Sequence, residues 1–465
     1  MHFPTLQFAV FFVLVLSVSW LIRRQRTYQK LFLLAASYLF YGAIRWELVG
    51  IIVLSSLVFY YTTEAITRTE DKARRKMWLV LSLATNLGLL GFFKYYNFFI
   101  ESIGDMAAML GLSTHLPILE ILFPVGISFY VFQGISYTLD LYWNRGTKAK
   151  TLLDFLLFMA FFPQLLAGPI CRGRELLPQI MGDAPEKVPD VSRAATLILS
   201  GLLKKAVLAH FIDTHLVGAV FDAPDNYTAA ALWVGMLGYT MLIYWDFSGY
   251  TDLARGLGLL LGFRIPENFD HPYIATDISD FWRRWHITLS NWLRDYLFIP
   301  LGGLHLKKRW FAVVVTMVLA GLWHGANWTF VLWGTYHGIL LFFHHGFRSG
   351  LKKKWKGGIP GRIGTLVLVM FGWIMFNSPD IGAFWLYFTR MFDFSAAGQG
   401  FELLVLPVIA IGLVLQVVGP WCRNLYENLS ERAPWALRPA LWLVTGILLL
   451  ALKPGGVAPY IYFGF

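Results

Sequence analysis

The sequence predicts an all-α protein that crosses a membrane several times. Of its 465 residues, 57% are hydrophobic and only 14% are charged, whereas a soluble chain of this length carries about a quarter charged residues. The mean hydropathy is +0.56, and several separate apolar runs approach the ~20 residues that a helix needs to span a bilayer. These observations indicate one polytopic membrane domain over residues 1–465, with no soluble domain, repeat array or low-complexity tail.

The positive charge indicates orientation rather than nucleic-acid binding. The formal net charge is +11, and the basic residues occur in short blocks between apolar runs, as the positive-inside rule predicts for cytoplasmic loops. The blocks are Arg23, Arg24, Arg26 and Lys30; Arg68, Lys72, Arg74, Arg75 and Lys76; Lys307, Lys308 and Arg309; and Lys352, Lys353, Lys354, Lys356 and Arg362. This distribution predicts an external N-terminus and a cytoplasmic C-terminus.

Apolar runs predict the elements in chain order. The first run, about 3–22, lacks a cleavage site and predicts a retained helix. Two short passes follow over 31–66, and the loop that holds Glu101, Asp105, His115 and Glu120 has no basic residue, so we expect it outside. The chain crosses back over 121–143. Further spans are predicted near 196–220, 229–249, 310–346, 363–377, 402–420 and 436–452.

Two segments lack the uniform apolar pattern of a membrane-spanning helix. The run 151–170 has basic flanks and contains Pro163, Gly168 and Pro169, and broken helices survive at membrane depth only where protein or a water-filled cavity covers the backbone. We therefore predict a re-entrant segment. The segment from Asp246 to Gly303 becomes amphipathic and rich in tryptophan, which favours an interfacial or re-entrant layer. Its acids, Asp246, Asp252, Glu267, Asp277, Asp280 and Asp295, are expected to pair with Arg255, Arg264, Arg283, Arg284 and Arg294.

Common catalytic and metal-binding patterns are missing from the sequence. There is no P-loop, no G-x-G-x-x-G, no H-E-x-x-H and no G-x-S-x-G around Ser248. Cys171 and Cys422 are far apart and have no metal-ligand spacing. The G-x-x-x-G patterns at Gly258/Gly262 and Gly334/Gly338 are general helix-packing patterns in membranes. The sequence predicts no bound metal and no bound cofactor.

Two histidines are the strongest candidates for chemistry. His324 lies in the apolar run "GLWHGANWTF", and His286 lies in the amphipathic layer. A neutral imidazole can be buried at modest cost and can still accept a proton near neutral pH, and ionisable groups in membrane segments are often functional. The competing interpretation is a core histidine that a backbone carbonyl satisfies. His337, His344 and His345 fit interior packing, or an interface near the Lys352 block, better than a role in chemistry.

Five segments resemble the membrane-bound O-acyltransferase (MBOAT) family, in its bacterial branch of alginate O-acetyltransferase-like proteins. They are "FPVGISFYVFQGISYTLDLYW", "FFPQLLAGPICR", "DFSGYTDLARGLGLLLGFRIPENFDHPY", "DFWRRWHITLSNWLRDYLFIPLGG" and "GLWHGANWTFVLWGTYHG". They occur in the family's order, and the resemblance extends to the aromatic end "PYIYFGF". The match is therefore much more specific than a single motif.

The resemblance implies a fold and a site. The fold is a bundle of about eleven spanning helices with re-entrant helices around a central tunnel. The family's signature histidine falls on His324 and its second recurrent histidine on His286, and these are our catalytic candidates. The candidates for substrate binding or the tunnel wall are Asn327, Trp323, Trp282, Trp285, Asn291, Asp295, Gln133 and Ser248.

The family transfers an acyl group to a hydroxyl, and this explains why a histidine would be useful inside the membrane. A hydroxyl is a poor nucleophile unless a base takes its proton during attack on the thioester carbonyl. His324 is expected to be that base, Asn327 to hold the imidazole or the developing oxyanion, and His286 to orient a substrate or relay the proton. Direct transfer and a covalent acyl-enzyme both stay open.

The resemblance implies the substrates and partners less precisely than it implies the fold and the site residues. The expected donor is a cytoplasmic acyl thioester, acetyl-CoA above all, and the expected acceptor is alginate, another exopolysaccharide or peptidoglycan. A periplasmic acyltransferase partner is expected because this chain has no soluble domain, and the bacterial inner membrane supplies lipid around it. The alternatives are D-alanyl transfer to teichoic acid, or a glycan or lipid transporter. A transporter predicts symmetry between halves, which the sequence lacks.

Overall fold

The computed structural model describes residues 3, 5–112, 116–121, 123–305, 307–350 and 358–452, with 346–350 and 450 described by their backbone alone. His115, the block Lys352, Lys353, Lys354 and Lys356, and the terminal segment 459–465 lie outside the described residues. Within those ranges the chain is helical, and its only extended pairing is an isolated bridge between Tyr227 and Gln399. The all-α prediction is confirmed.

The chain divides into two compact units. The first comprises Met1–Pro189 with Leu261–Pro266, and the second comprises Asp190–Leu260 with Glu267–Phe465. The first unit contains α1 (Leu6–Leu21), α2 (Arg26–Gly42), α3 (Glu47–Arg68), α4 (Lys72–Leu90), α5 (Tyr96–Met109), α6 (Ile127–Tyr142), α7 (Leu152–Ala160), α8 (Phe162–Leu165) and α9 (Gly173–Met181). A π-helical turn, Gly91–Tyr95, joins α4 to α5.

The helix predicted to break within 151–170 does break, at Phe161, where α7 ends and α8 begins. Side chains satisfy the backbone groups that the break releases. Gln133 and Gln164 both donate from Nε2 to the carbonyl of Phe158, at 2.7 and 3.1 Å. The amide of Phe162 donates to the hydroxyl of Ser37. Gln133, a predicted tunnel residue, therefore supports this break inside the first unit.

The second unit contains α10 (Val191–Leu202), α11 (His210–Ile212), α12 (Gly218–Asp222), α13 (Ala229–Leu260), α14 (Ile278–Arg284), α15 (Ile287–Leu293), α16 (Arg309–His324), α17 (Trp328–Gly350), α18 (Gly358–Asn377), α19 (Ile381–Arg390), α20 (Val405–Arg432) and α21 (Arg438–Ala451). π-helical turns at Leu203–Ala209 and Asp213–Val217 join α10, α11 and α12. Another, Arg294–Phe298, follows α15, and short 3-10 turns lie at Pro224–Asn226 and Pro272–Ile274.

Five helical segments of the described chain are long and apolar enough to cross a membrane. They are Glu47–Arg68, Lys72–Met109, Val191–Asp222, Gly358–Asn377 and Val405–Arg432. Shorter apolar helices at Leu6–Leu21, Arg309–His324 and Arg438–Leu449 add to them.

Two predicted boundaries were wrong. The span predicted to end at residue 249 continues as α13 to Leu260, since the carboxylates of Asp246 and Asp252 are paired with lysines and do not stop the helix. The run predicted over 310–346 is split into α16 and α17 by the segment 325–327. His324 is therefore the last residue of a helix instead of a mid-helix residue.

Candidate active site

Glycines bring α16 and α17 into backbone contact beside His324. A Cβ added to Gly321 would lie 2.1 Å from the carbonyl oxygen of Phe330, and one added to Gly334 would lie 2.3 Å from that of Met317. A Cβ on Gly325 would lie 2.0 Å from the ring of Phe330. No larger side chain fits these positions without moving the helices, so the glycines fix where α16 ends and where its last side chain lies.

His324 is enclosed by aromatic rings. Its side chain is only 4% exposed. Its ring centroid lies 4.9 Å from that of Trp323, 5.1 Å from Trp333 and 5.0 Å from Phe376, each in an edge-to-face arrangement. As the C-terminal residue of α16, it also lies at the negative end of the helix dipole, which favours a positive charge on the ring. The aromatic surroundings exclude bulk water, and the helix terminus offsets part of the cost of the positive charge that the ring carries after it accepts a proton.

His286 lies on the other side of Trp323. The Trp323 ring is 5.8 Å from that of His286 and thus contacts both histidines. His286 is fully buried and has φ +41°, in the left-handed region, immediately before α15. A non-glycine residue pays for this conformation in strain and is held there by its surroundings.

Asn268 provides several of the contacts that keep His286 in this conformation. Its Oδ1 accepts from the backbone amide and the hydroxyl of Thr288, at 3.1 and 2.8 Å, and contacts Nδ1 of His286 at 3.1 Å. Its carbonyl accepts from the amide of Ile287. Because an amide N–H only donates, the atom that faces Thr288 is the oxygen, and Nδ1 of His286 must carry the proton. This leaves Nε2 as the basic nitrogen of His286.

Burial keeps His286 neutral. Desolvation lowers the pKa of His286 to about 3, against an ordinary value of 6.5. The residue lies between α14 and α15, outside the candidate spanning helices. A neutral imidazole with a fixed tautomer can orient a substrate or accept a hydrogen bond without adding a buried charge.

Tryptophans extend the enclosure away from the histidines. Trp333 lies 5.7 Å from Trp282 and 6.1 Å from Trp373, and Trp373 lies 4.8 Å from Trp285. The indole nitrogens of Trp282, Trp333 and Trp373 are buried and have no hydrogen-bond acceptor among the described residues. Buried donors normally have partners. Of these three tryptophans, Trp333 contacts His324 directly, and Trp282 and Trp373 pack against Trp333.

His337 belongs to the same aromatic cluster. It is fully buried and packs against the rings of Trp333, Trp282 and Phe281 at 4.9, 5.2 and 6.4 Å. The expectation of interior packing is confirmed for this histidine.

Other predicted site residues occupy more structural positions. Asn327 begins α17: its Oδ1 accepts from the amide of Thr329, and its Nδ2 donates to the carbonyl of Pro379. This caps the helix and ties it to the chain after α18. Ser248 lies in α13 next to Phe247, whose ring is 4.7 Å from that of His286. The Ser248 hydroxyl is buried and has no described partner.

The last three candidates make no ring contact or hydrogen bond with either histidine among the contacts that the structure describes. Asn291 is half-buried on α15, and no described side chain bonds its amide. Asp295 pairs with Arg294 at 2.7 Å in the π-helical turn after α15. Gln133 belongs to the first unit, as described above. The structure thus brings together His324, His286, Trp323, Trp282 and Trp285, and gives the remaining candidates other neighbours.

The acids of the segment from Asp246 to Gly303 have partners that differ in part from the expected arginines. Asp246 pairs with Lys205, and Asp252 pairs with Lys204 at 2.5 Å. Close packing of α10 and its continuation against α13 makes this possible, because a Cβ on Gly201 would lie 2.7 Å from the carbonyl of Gly249. Two of the other acids do pair with arginines as expected, in Arg284–Asp280 and Arg255–Glu267. Asp277 instead caps α14.

Sequence reasoning missed Asn268, Trp333 and Trp373. Asn268 is a lone amide in a loop, and its three contacts depend on the fold of α15. Trp333 lies nine positions after His324 on another helix, and Trp373 lies on α18, which no motif singles out. Among the described residues, no group of three or more histidines, cysteines and acids could hold a metal ion.

Comparison with known proteins points to one family. Residues 144–378 match the model of the membrane-bound O-acyltransferase family, MBOAT. The probable alginate O-acetylase AlgI of Azotobacter vinelandii is 39% identical over 373 residues, which cover 79% of this chain and 73% of that protein. The peptidoglycan O-acetyltransferase of Helicobacter pylori is 34% identical over 76% of this chain and 72% of its own. The teichoic acid D-alanyltransferase of Bacillus subtilis is 30% identical over 54% of this chain and 68% of its own.

Proposed function

This chain belongs to the membrane-bound O-acyltransferase family, and we propose that it moves an acetyl group from cytoplasmic acetyl-CoA to hydroxyls of an extracytoplasmic cell-envelope polysaccharide. The names of the alginate and peptidoglycan O-acetyltransferases among its relatives support acetyl as the group and a polysaccharide as the acceptor. The chain covers more than two thirds of each of these proteins. It is a membrane enzyme of the acyltransferase class.

The observation that carries the proposal is the enclosure of His324. A histidine that is 4% exposed, surrounded by edge-to-face aromatic rings and placed at a helix C-terminus, can accept a proton where water is excluded. Water exclusion matters in this reaction because acetyl thioesters also hydrolyse. Nearby indole N–H groups without described partners are suited to bind carbonyl oxygens of the donor.

The reaction follows from these groups. His324 takes the proton of the acceptor hydroxyl while the hydroxyl oxygen attacks the thioester carbon, which gives a tetrahedral oxyanion and an imidazolium. The oxyanion collapses, the carbon–sulfur bond breaks, and the leaving thiolate takes the proton from His324. The products are an acetyl ester and free CoA thiol, and the imidazole is neutral again. No covalent acyl-enzyme is required, and no serine motif suggests one.

In this proposal, His286 positions a substrate by a hydrogen bond. Its Nδ1 proton is held by Asn268, so its Nε2 can accept a hydrogen bond from the acceptor hydroxyl or from the donor. Trp323 separates the two histidines and contacts both. Asn291, Asp295, Ser248 and Gln133 are proposed to line the path of one substrate, and Asn327 to hold the end of α17 beside it.

The finer features of the fold belong to the same proposal. We infer about eleven spanning helices around a central tunnel in the bacterial inner membrane, with the N-terminus outside and the C-terminus in the cytoplasm. The five candidate spans, the shorter apolar helices and the basic blocks support this arrangement. A tunnel lets a cytoplasmic donor and an extracytoplasmic acceptor meet at one histidine.

A periplasmic acyltransferase partner completes the proposed pathway. The described part of the chain has no soluble domain that could hold a polysaccharide strand outside the membrane. The acetyl group is therefore handed to the partner or directly to the polysaccharide at the outer end of the tunnel. D-alanyl transfer to teichoic acid is the second candidate, favoured by the 30% identity to the Bacillus subtilis enzyme.

The test uses purified protein in proteoliposomes with [acetyl-14C]acetyl-CoA on one side and alginate or peptidoglycan fragments on the other. The proposal predicts ester-linked label on the acceptor, or slow release of labelled acetate when no acceptor is present. D-alanyl thioester of a carrier protein, supplied in place of acetyl-CoA, should give no label. Transfer from the carrier thioester alone would establish the D-alanyl alternative and contradict the acetyl proposal.

A further inference from the structure

A cavity of about 270 Å³ lies within the second unit, away from the histidines of the candidate site. It is enclosed by α10, the π-helical turn after it, α13, α20 and α21. One part of its wall carries Lys204, Arg423 and His271, and another carries Leu208, Leu415 and Leu449. Cations and aliphatic side chains thus occupy separate parts of one cavity.

The cationic part has more positive charge than its protein partners balance. Lys204 pairs with Asp252 at 2.5 Å, and its side chain is 14% exposed. Arg423 is half-buried and makes no hydrogen bond or ion pair with the described residues. Nδ1 of His271 is also buried without a described partner. The carboxylate of Asp252 interacts electrostatically with Arg423 as well as with Lys204, and the guanidinium N–H groups of Arg423 that form no hydrogen bond can bind an anion in the cavity.

Arg423 lies at one end of the apolar stretch of α20, whereas Lys204 lies within the candidate span Val191–Asp222. Arg423 is the first charged residue of α20, and the uncharged stretch 405–422 before it rises about 1.5 Å per residue, enough to cross most of a ~30 Å hydrocarbon core. The two helices run antiparallel, because Arg193 near the start of α10 pairs with Glu427 near the end of α20 at 2.7 Å. Counted along the helices from this ion pair, Arg423 lies about one turn away and Lys204 about three turns, so Lys204 reaches the cavity from deeper in the membrane.

The aliphatic wall lies deeper in the same direction. Leu208 is about one helical turn beyond Lys204, and Leu415 is about two turns before Arg423. Tyr426 of α20 hydrogen-bonds Thr445 of α21 at 3.2 Å, and Leu449 lies about one turn beyond Thr445. The cavity therefore has the guanidinium of Arg423 at the end nearer the membrane surface and aliphatic side chains toward the membrane interior.

We propose that this cavity binds an anionic phospholipid, with its phosphate facing Lys204 and Arg423 and the start of an acyl chain along Leu208, Leu415 and Leu449. A phosphate supplies the acceptor that Arg423 lacks, and the apolar part of the cavity covers the first carbons of the chain. The cavity shares no residue with the candidate active site, and Tyr244 in its wall packs against Trp285 at 6.5 Å. A soluble phosphate compound offers the same head chemistry without the chain.

The test compares thermal unfolding of the full-length protein in a neutral detergent with added phosphatidylglycerol or phosphatidylcholine. The wild type should gain stability with phosphatidylglycerol at low concentration and much less with phosphatidylcholine. Arg423→Gln should raise the half-saturating phosphatidylglycerol concentration at least tenfold, and Arg423→Lys should keep most of the response. The matched control is Arg432→Gln, which removes an exposed charge from the same helix outside the cavity.

Two further arms distinguish the source of the phosphate. Inorganic phosphate and CoA should give no comparable stabilisation, and native mass spectrometry of the wild type should retain phosphatidylglycerol over phosphatidylcholine. Equal losses in Arg423→Gln and Arg432→Gln would overturn the proposal, as would equal responses to both lipids. Stabilisation by inorganic phosphate or CoA that depends on Arg423 would assign the site to a soluble anion and overturn the lipid assignment. If Arg423→Gln fails to fold, native mass spectrometry of the wild type still shows whether the protein retains phosphatidylglycerol over phosphatidylcholine.

Discussion

At the scale of single residues, two buried histidines differ in what holds them. His324 has rings on several sides and ends a helix, whereas His286 has a left-handed backbone and an asparagine that sets its tautomer. The sequence predicted both positions, since two imidazoles in apolar or aromatic surroundings are unusual. It did not predict Asn268, because an asparagine in a loop has no periodicity or spacing that connects it with a histidine.

Removing the side chain of Asn268 should impair catalysis through His286. Asn268→Ala deletes the oxygen that serves three contacts, each worth about 1 kcal/mol net. We expect stability to fall by about 3 kcal/mol and acetyl transfer by the folded protein to fall at least tenfold, mainly in kcat. The control is Asn424→Ala on the exposed surface of α20. Unchanged kcat in a folded Asn268→Ala protein would refute the positioning role.

The neutral state of His286 predicts a pH dependence of stability. Its folded pKa of about 3 lies below the ordinary 6.5, so between these values the unfolded chain binds a proton that the folded chain does not. Stability must then fall as the pH drops from about 6.5 toward 3, by at most about 1.4 kcal/mol per pH unit. Unfolding temperatures of His286→Gln should vary less with pH over this window. An equal reduction in the exposed variant His305→Gln would count against the assignment.

At the scale of elements, the hairpin of α16 and α17 forms the wall of the site. Gly334 and Gly338 were recognised in the sequence as packing residues, and the structure gives them specific neighbours on α16. The break between the helices at 325–327 was not predicted, since the apolar run continues through it. Hydropathy reports burial in the bilayer and carries little information on where a buried helix ends. The lysine partners of Asp246 and Asp252 were missed for a similar reason, because helix packing decides them.

A side chain at Gly321 should separate the hairpin. The Cβ of Gly321→Ala would lie 2.1 Å from the carbonyl oxygen of Phe330, so α16 and α17 must shift and His324 with them. We expect a loss of about 1–3 kcal/mol of stability and a larger proportional loss of acetyl transfer. Gly364→Ala on α18 is the control, since its Cβ would meet no atom within 4 Å. Equal activity in the two variants would contradict the role given to the hairpin.

At the scale of the whole molecule, the all-helical fold and its candidate spans followed from composition and apolar runs. The family resemblance was confirmed by the match over residues 144–378 and by relatives that cover most of the chain. The number of crossings, the tunnel and the division of labour with a partner stay predictions. They depend on the bilayer and on other molecules, and no pattern within one chain fixes them.

Cysteine labelling tests the predicted orientation. Leu112 and Leu304 are 60% and 66% exposed and lie in the loops that we predict outside and inside the membrane. With Cys422 replaced by serine and Cys171 fully buried, Leu112→Cys should react with a membrane-impermeant maleimide on intact spheroplasts. Leu304→Cys should react only after permeabilisation. The reverse pattern would invert the topology, and with it the side from which the donor enters.

The most direct test of the central claim is the rate of acetyl transfer by His324→Ala in proteoliposomes, beside the wild type and His305→Ala. His305 is an exposed histidine with no described hydrogen bond from its side chain, so this variant controls for loss of an imidazole as such. General base catalysis contributes roughly 10²–10⁴-fold, and we predict a loss of that size in His324→Ala alone, with unchanged helix content and unfolding temperature. Wild-type activity in a folded His324→Ala protein would contradict the account.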